Sequence, residues 1–173
     1  MQQETLVAIG RLVKPHGVKG EIVFLPYMYD LTLLPELRAQ QVVLRHGTTP
    51  PQSRTISAWR PFNKRLLVCF ADCQDMTQAA MLRDYEVLIA RHRFAPLPAG
   101  EYYWFEIEGL AVYAATGRYI GNIVEIIYTG SNDVYVVRQG AEEILVPALQ
   151  DVVRTIDTQR GEVHLFATPG LLD

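Results

Sequence analysis

The sequence predicts a mostly β protein in which a short linker joins two small antiparallel β-barrels, with one short helix in the first domain. Short apolar runs alternate with turn formers along the 173 residues, which is typical of antiparallel strands. A single segment has a convincing helix start. Residues 94–100 are rich in proline and glycine, which suppress helices and sheet ladders. We therefore predict two domains, residues 1–97 and 98–173.

The first half contains β-branched and aromatic runs that turn formers separate, as expected for strands. The predicted strands span residues 6–13, 21–25, 41–45, 54–59, 65–71 and 86–90. Asp75, with Gln78 three positions later, forms a capping-box pattern, so we predict a helix from there to about Arg83. Its packed side is expected to consist of Met76, Ala79, Ala80 and Met81 or Leu82.

The second half shows the same alternation of short apolar runs and turns. The predicted strands span residues 110–113, 119–128, 134–138, 143–147, 152–156 and 162–166. Gly121 interrupts the longest of these strands, which indicates a bulge or a bend. This pattern predicts a second small barrel.

Charge is divided unevenly between the two halves, although the net charge is only -3. Residues 1–98 hold 12 Lys and Arg against 8 Asp and Glu, whereas residues 99–173 hold 4 against 11. A basic first half suits contact with phosphates, and an acidic second half suits a basic protein partner. Two unrelated solvated surfaces would give the same distribution, so both interpretations stay open.

Several function classes lack support in the sequence. Nucleotide-binding loops, nucleophile elbows and zinc-peptidase motifs do not occur. Cys69 and Cys73 have neither a second cysteine pair nor histidines at ligand spacing, so we expect no metal site, and Cys69 is expected to be a small core side chain. Apolar runs are too short to span a membrane, and a signal peptide is not evident. We expect a cytoplasmic, non-enzymatic binding protein without a cofactor.

The segment between the first two strands is a candidate contact for phosphate. Residues 14–20 contain Pro15, two glycines and the basic side chains Lys14, His16 and Lys19, and they predict a hairpin loop. Closely spaced glycines with basic neighbours can present backbone N–H groups to a phosphate. Alternatively, the glycines serve the turn alone, because the strand–loop–helix context of a nucleotide cradle is missing.

A cluster of large aromatic side chains directly follows the linker. Tyr102, Tyr103, Trp104 and Phe105 lie among acidic residues, and such rings are costly to expose. They either pack the linker against a barrel or contact another protein, since Tyr and Trp are favoured anchors at protein interfaces.

Two groups of motifs together resemble the ribosome maturation factor RimM family. The first group is residues 10–21, which are similar to that family's N-terminal signature. The second group resembles a PRC-barrel domain. It comprises Gly117 with Gly121, residues 130–133, residues 145–148 and residues 169–173. Their order and spacing match the family from about Leu6 to Asp173, which is essentially the whole chain.

The resemblance implies a non-catalytic assembly factor that binds the maturing head of the small (30S) ribosomal subunit and assists processing of its 16S rRNA. It implies a translation-factor-like N-terminal barrel and binding, through the PRC-barrel side, to the head ribosomal protein numbered nineteen in the small subunit. The family's tyrosine pair for ribosome binding corresponds to Tyr102 and Tyr103. This sequence departs from the family pattern at Phe105, Glu106 and Glu108, where histidine, aspartate and an apolar residue are common.

Two other function classes compete with this interpretation. An RNA-modifying or RNA-cleaving enzyme would require titratable groups that converge in one pocket, and the sequence shows none. A PRC-barrel adaptor acting outside the ribosome would lack the N-terminal hairpin that this chain contains. We therefore expect a monomer that binds the small subunit through Tyr102 and Tyr103, makes RNA contacts through Lys14, His16 and Lys19, and has no membrane partner.

Overall fold

A computed structural model of the chain describes residues 4–28 and 30–172, and nothing is described for residues 1–3, Tyr29 and Asp173. The chain divides into two compact units, residues 1–96 and 97–173, and strands dominate both. The predicted fold class is therefore confirmed. The assignment of residues 1–97 and 98–173 to separately folding domains stays a prediction.

The first unit is a closed barrel in which the strands follow the order β1-β2-β5-β4-β3-β6. All neighbouring strands are antiparallel. The strands are β1 (Leu6–His16), β2 (Glu21–Pro26), β3 (Gln40–His46), β4 (Thr49–Phe62), β5 (Arg65–Phe70) and β6 (Glu86–Ala90). Helix α1 (Met76–Ala80) and two 3-10 turns (Leu31–Leu33 and Arg91–Arg93) complete this unit.

Two strands of the first unit are longer than predicted. Strand β1 continues to His16, so Lys14 and His16 belong to the strand and only Lys19 lies in the turn, contrary to the prediction of a loop over residues 14–20. Strand β4 begins at Thr49 and includes Pro50 and Pro51. Those prolines are tolerated because β4 is paired with β5 only from Ile56 onward, which leaves its first residues at an edge.

Helix α1 begins where the sequence predicts, but it is shorter than expected. The Asp75 carboxylate accepts a hydrogen bond from the Gln78 N–H at 2.8 Å, which confirms the N-cap. The Gln78 side chain accepts from the Gln74 N–H at 2.7 Å, one residue before the position that a capping box would use. The helix ends at Ala80.

The packed side of α1 was predicted only in part. Ala79 is buried within the helix, and Leu82 is buried in the turn that follows. Of the alternatives Met81 and Leu82, the buried one is Leu82, since Met81 is 75% exposed. Met76 is 52% exposed and Ala80 is exposed as well, so these two assignments were wrong. A helix of five residues makes little more than one turn and therefore has a narrow buried side.

The second unit is a six-stranded sheet with the order β10-β9-β8-β7-β12-β11. Its strands are β7 (Ala111–Tyr113), β8 (Tyr119–Tyr128), β9 (Asp133–Gln139), β10 (Glu142–Pro147), β11 (Val153–Asp157) and β12 (Glu162–Leu165). Neighbouring strands are antiparallel except β7 and β12, which pair in parallel. A short helix that was not predicted, α2 (Trp104–Ile107), precedes the sheet.

Gly121 marks an irregularity in β8, as predicted. Its φ is +135°, and the pairing of β7 with β8 changes register between Val112 and Tyr113. A Cβ atom added to Gly121 would lie 2.5 Å from the carbonyl oxygen of Arg138 on β9. Only glycine therefore allows β8 to bend while it stays paired with β9.

Helices α1 and α2 are five and four residues long. No helix in the described part of the chain has the length and apolar character that crossing a membrane requires.

Candidate functional site

The basic side chains that the sequence singled out in the first unit, Lys14, His16 and Lys19, lie at one end of the β1–β2 hairpin. Lys14 and His16 are two residues apart on β1, so they project from the same side of that strand. Lys14 and Lys19 are exposed, and neither has an ion-pair partner among the described residues. His16 is half-buried, with its ring centroid 4.8 Å from that of Phe62 on β4. The hairpin therefore leaves two lysine charges available, whereas His16 packs partly against the barrel.

The same hairpin is fixed to the barrel at its turn. Gly20 is buried, and the Cys73 thiol contacts its carbonyl oxygen at 3.6 Å. The neighbouring Glu21 receives two hydrogen bonds from the Arg60 guanidinium, at 3.0 and 3.1 Å. Arg60 holds the pKa of the Glu21 carboxyl below its usual value. The acid nearest the two lysines is therefore largely compensated by Arg60, which favours an anionic ligand at this end.

The aromatic cluster that follows the linker is organised around helix α2. Glu106 closes the first turn, because its carboxylate accepts from the Tyr103 N–H at 2.9 Å while its own N–H donates to the Tyr103 carbonyl at 3.0 Å. The Tyr103 and Phe105 rings are stacked, with centroids 5.1 Å apart and planes 9° from parallel. Trp104 meets Phe105 edge-on at 5.0 Å. Two of the positions that depart from the family pattern, Phe105 and Glu106, thus support this local structure.

The predicted binding tyrosines differ in accessibility. Tyr103 and Trp104 are each only 6% exposed, and burial raises the pKa of the Tyr103 hydroxyl. Tyr102 is half-buried and packs against the core of the second unit, and its hydroxyl donates to the Ile156 carbonyl at 3.5 Å. Tyr102 is therefore the more accessible member of the pair. Their role in ribosome binding stays a prediction.

The second unit also has an apolar surface that the sequence did not reveal. We call it the β8–β10 face. Leu145 is 52% exposed, Val124 is 42% exposed and Ile127 is 40% exposed. Leu145 pairs with Val136, which pairs with Glu125, and these cross-strand neighbours lie on the same side of the sheet. Alternation alone could not find this face, since it depends on the register of three strands.

Acidic groups border the β8–β10 face. Glu143 on β10 forms an ion pair with Arg138 on β9 at 2.7 Å, and Glu125 lies on β8. Partial desolvation, followed by the charge of Glu125, raises the pKa of the Glu108 carboxyl. An apolar surface with acids at its border is suited to a partner that presents both apolar and basic groups.

A metal centre is not supported by the geometry. Within residues 4–28 and 30–172, no group of three or more His, Cys, Asp or Glu side chains could hold a metal ion. Cys73 is buried and Cys69 is half-buried on β5, and both are free thiols. Burial raises the pKa of both thiols, which makes them poor nucleophiles.

Comparison with known proteins gives a consistent family for both units. The RimM N-terminal domain matches residues 7–94, and the RimM PRC barrel domain matches residues 104–171. The ribosome maturation factor RimM of Geobacter metallireducens is 35% identical, over 97% of this chain and 96% of its own length. That of Moorella thermoacetica is also 35% identical, over 96% and 97% respectively.

Among solved structures, a candidate 16S ribosomal RNA processing protein RimM from Pseudomonas aeruginosa is similar over 95% of this chain and 98% of its own. Its sequence identity is 29% and its TM-score is 0.47. The two matching domains and the full-length relatives are sufficient to assign the family. The chain belongs to the ribosome maturation factor RimM family.

Proposed function

We propose that this chain is a non-catalytic ribosome maturation factor that binds the maturing head of the small (30S) ribosomal subunit and assists 16S rRNA processing. The observation that carries the proposal is the order of the RimM N-terminal and PRC barrel domains along nearly the whole chain, together with full-length relatives that are named ribosome maturation factor. In this proposal it acts as a monomer in the cytoplasm.

The second unit is proposed to bind the head ribosomal protein numbered nineteen in the small subunit. Ribosomal proteins are basic, and residues 99–173 hold 11 acidic against 4 basic side chains, so long-range attraction would raise the association rate. Tyr102 and Tyr103 are the family's binding pair, and the exposed Leu145 and Ile127 on the β8–β10 face offer an apolar contact. The acidic border of the β8–β10 face supports a basic partner.

The first unit is proposed to contact RNA through Lys14, Lys19 and His16. Both lysines are exposed at one end of the hairpin, and Arg60 compensates the nearby Glu21 carboxylate. His16 packs partly against Phe62, so we expect it to position the hairpin more than to bind phosphate. Two lysine contacts would add affinity without sequence specificity.

The proposed action is that of a chaperone for assembly. A factor that binds one arrangement of the head more tightly than others shifts the population toward that arrangement, by no more than the difference in binding free energy. Departure from the finished subunit then requires weaker binding to the mature head.

Calorimetric titration of the purified full chain with the purified ribosomal protein tests the protein contact. We expect Tyr102→Ala and Leu145→Asp each to weaken binding about 10-fold or more, as central interface residues commonly do. The control is Val18→Asp, since Val18 is 71% exposed but lies in the hairpin turn of the first unit. Unchanged affinity for both second-unit variants would contradict this surface. Absence of any binding by the wild type would favour a PRC-barrel adaptor that acts elsewhere.

A further inference from the structure

Aromatic side chains form a continuous row across neighbouring strands of the second unit. Tyr119 on β8 pairs with Tyr113 on β7, and Tyr113 pairs with His164 on β12. His164 in turn pairs with Thr155 on the edge strand β11. We call Tyr119, Tyr113 and His164 the ring row.

The ring row lies on the side of the sheet opposite the core. The residues next to it along the chain, Ile120, Val112 and Val163, belong to the buried core cluster. Successive side chains of a strand point to opposite faces, so the rings point away from that core. Tyr119 is 38% exposed, and the His164 side chain is 40% exposed. The row is therefore reachable by a ligand.

Each ring of the row contacts its neighbour on the next strand. Tyr113 and His164 are stacked, with centroids 5.2 Å apart and planes 16° from parallel. Tyr119 meets Tyr113 at 5.8 Å with an interplanar angle of 61°. His164 is held by Glu162, with 3.1 Å between the ring Nε2 and a carboxylate oxygen. Cross-strand stacking also stabilises a sheet, but that role does not require the rings to be exposed.

An open hollow of about 510 Å³ adjoins the ring row at the β11–β12 hairpin. Its lining includes Thr155, Arg160, Glu162 and His164. Asp157 also lines the hollow and fixes the β11–β12 turn, because its carboxylate accepts hydrogen bonds from the backbone N–H groups of Gln159 and Arg160, at 3.0 and 2.9 Å. A flat group stacked on His164 would thus have hydrogen-bonding side chains beside it.

Two exposed arginines of this acidic unit lie near the ring row. Residues 97–173 contain four arginines and no lysine, and one of the arginines, Arg138, is paired with Glu143. Two of the others are exposed and have no ion-pair partner within the described residues: Arg118 lies in the turn that leads to Tyr119, and Arg160 lines the hollow. The two acids of this region, Asp157 and Glu162, are already engaged in hydrogen bonds.

We propose that this face binds single-stranded RNA, with a base stacked on the ring row and phosphates near Arg118 and Arg160. A row of rings flanked by cations is the arrangement with which proteins hold unpaired nucleotides, because every base has a π face. Paired bases in a duplex cannot reach such a row. A basic protein is better suited to the β8–β10 face, where Glu125 and Glu143 lie. The inference goes beyond the proposed function and does not depend on it.

Fluorescence anisotropy of a short, labelled single-stranded RNA of mixed sequence, titrated with the full chain, measures this contact. We expect Tyr113→Ala and His164→Ala each to weaken binding about 10-fold, and His164→Phe, which keeps the ring, to retain affinity. Met81→Ala, which removes a side chain of the first unit that is 75% exposed and has no proposed binding role, is the matched control. Circular dichroism and thermal unfolding verify that each variant is folded. If an alanine variant is not folded, His164→Phe still tests the site.

Crosslinking separates this site from the lysines of the first unit. RNA that carries 4-thiouridine, irradiated in complex with the wild-type chain, should crosslink to peptides that contain Tyr113, Tyr119 or His164. Crosslinks confined to the first unit, or equal binding by wild type and all ring-row variants, would overturn the proposal, as would a preference for duplex over single strand. If RNA binding fails while the chain still travels with small subunits, the proposed function stands without this site.

Discussion

Gly20 in the hairpin turn lies directly against the backbone of Cys73 in the segment before α1. Gly20 has a φ of +87°, and a Cβ atom added to it would be 2.5 Å from the Cys73 carbonyl oxygen. The contact is with backbone, so the neighbour cannot rotate away as a side chain can. The hairpin that carries Lys19 is thus fixed in position by a residue without a side chain.

Gly20→Ala should therefore destabilise the first unit by about 2 kcal/mol or more, because it combines positive-φ strain with a steric clash. Gly17→Ala is the matched control: Gly17 also has a positive φ, +65°, but open space surrounds its Cβ position. It should cost about 1 kcal/mol. Urea unfolding followed by circular dichroism measures both, and equal losses would contradict the importance of the Cys73 contact.

The ion pair of Glu21 with Arg60 should make stability depend on pH in the acidic range. Arg60 lowers the pKa of Glu21 from its usual value of 4.5, so the stabilisation is present above that value and is lost as pH falls through the lower, folded-state pKa. The effect should be small, since water screens this pair.

Glu21→Gln and Arg60→Gln should each remove this part of the acid dependence, and thermal unfolding across the acidic range measures it. Wild type and both variants losing stability in parallel as pH falls would show that the pair contributes nothing.

Ionisation of Glu108 should change the stability with pH in the direction opposite to that of Glu21. Desolvation, and then the charge of Glu125, raise the pKa of its carboxyl, so ionisation is less favourable in the folded state. Protonated Glu108 is therefore the form that folding favours. Its contribution to stability is complete below the unfolded-state pKa and is lost as pH rises through the folded-state pKa. Glu108→Gln should therefore raise Tm at neutral pH by less than about 3 °C and have no effect at strongly acidic pH.

Scanning calorimetry at the two pH values measures the Glu108 effect. Glu125→Gln is the partner variant, and the double variant should gain less than the sum of the two single changes because the charges interact. A lower Tm for Glu108→Gln at neutral pH would refute the prediction that ionised Glu108 destabilises the folded chain.

The proposed RNA contact of the hairpin predicts a particular dependence on salt. Each phosphate contact adds roughly 0.7 to 0.9 to the slope of log affinity against log salt concentration. Lys14→Gln with Lys19→Gln should therefore reduce the slope for binding to ribosomal RNA by about 1.5. Filter binding at several salt concentrations gives the slope. Arg138→Gln, at a cation already paired with Glu143, is the control, and an unchanged slope in the double lysine variant would exclude the contact.

Local chemistry was sufficient to predict most strands and turns. Asp75 caps α1 as predicted, and Gly121 bends β8. Helix α2 was missed because its sequence, Trp-Phe-Glu-Ile, has weak helix propensity, and the turn is instead fixed by Glu106 and by burial of Trp104. Local patterns do not encode such tertiary effects.

The candidate sites were less predictable than the strands. Tyr103 is buried, whereas its sequence context left open whether the rings after the linker pack or contact another protein. The ring row was invisible because it requires the parallel pairing of β7 with β12, which are separated by most of the second unit. Residues that are distant in sequence become neighbours only once the strand order is known.

Association with the free small subunit is the central claim, and sedimentation of a cell extract with the tagged protein traced tests it most directly. We predict that wild type travels with free small subunits and not with joined ribosomes. The Tyr102→Ala/Tyr103→Ala variant should stay at the top of the gradient, whereas Tyr103→Phe, which keeps the buried ring, should behave as wild type. Wild type remaining at the top at every salt concentration would contradict the assignment of this chain to small-subunit maturation.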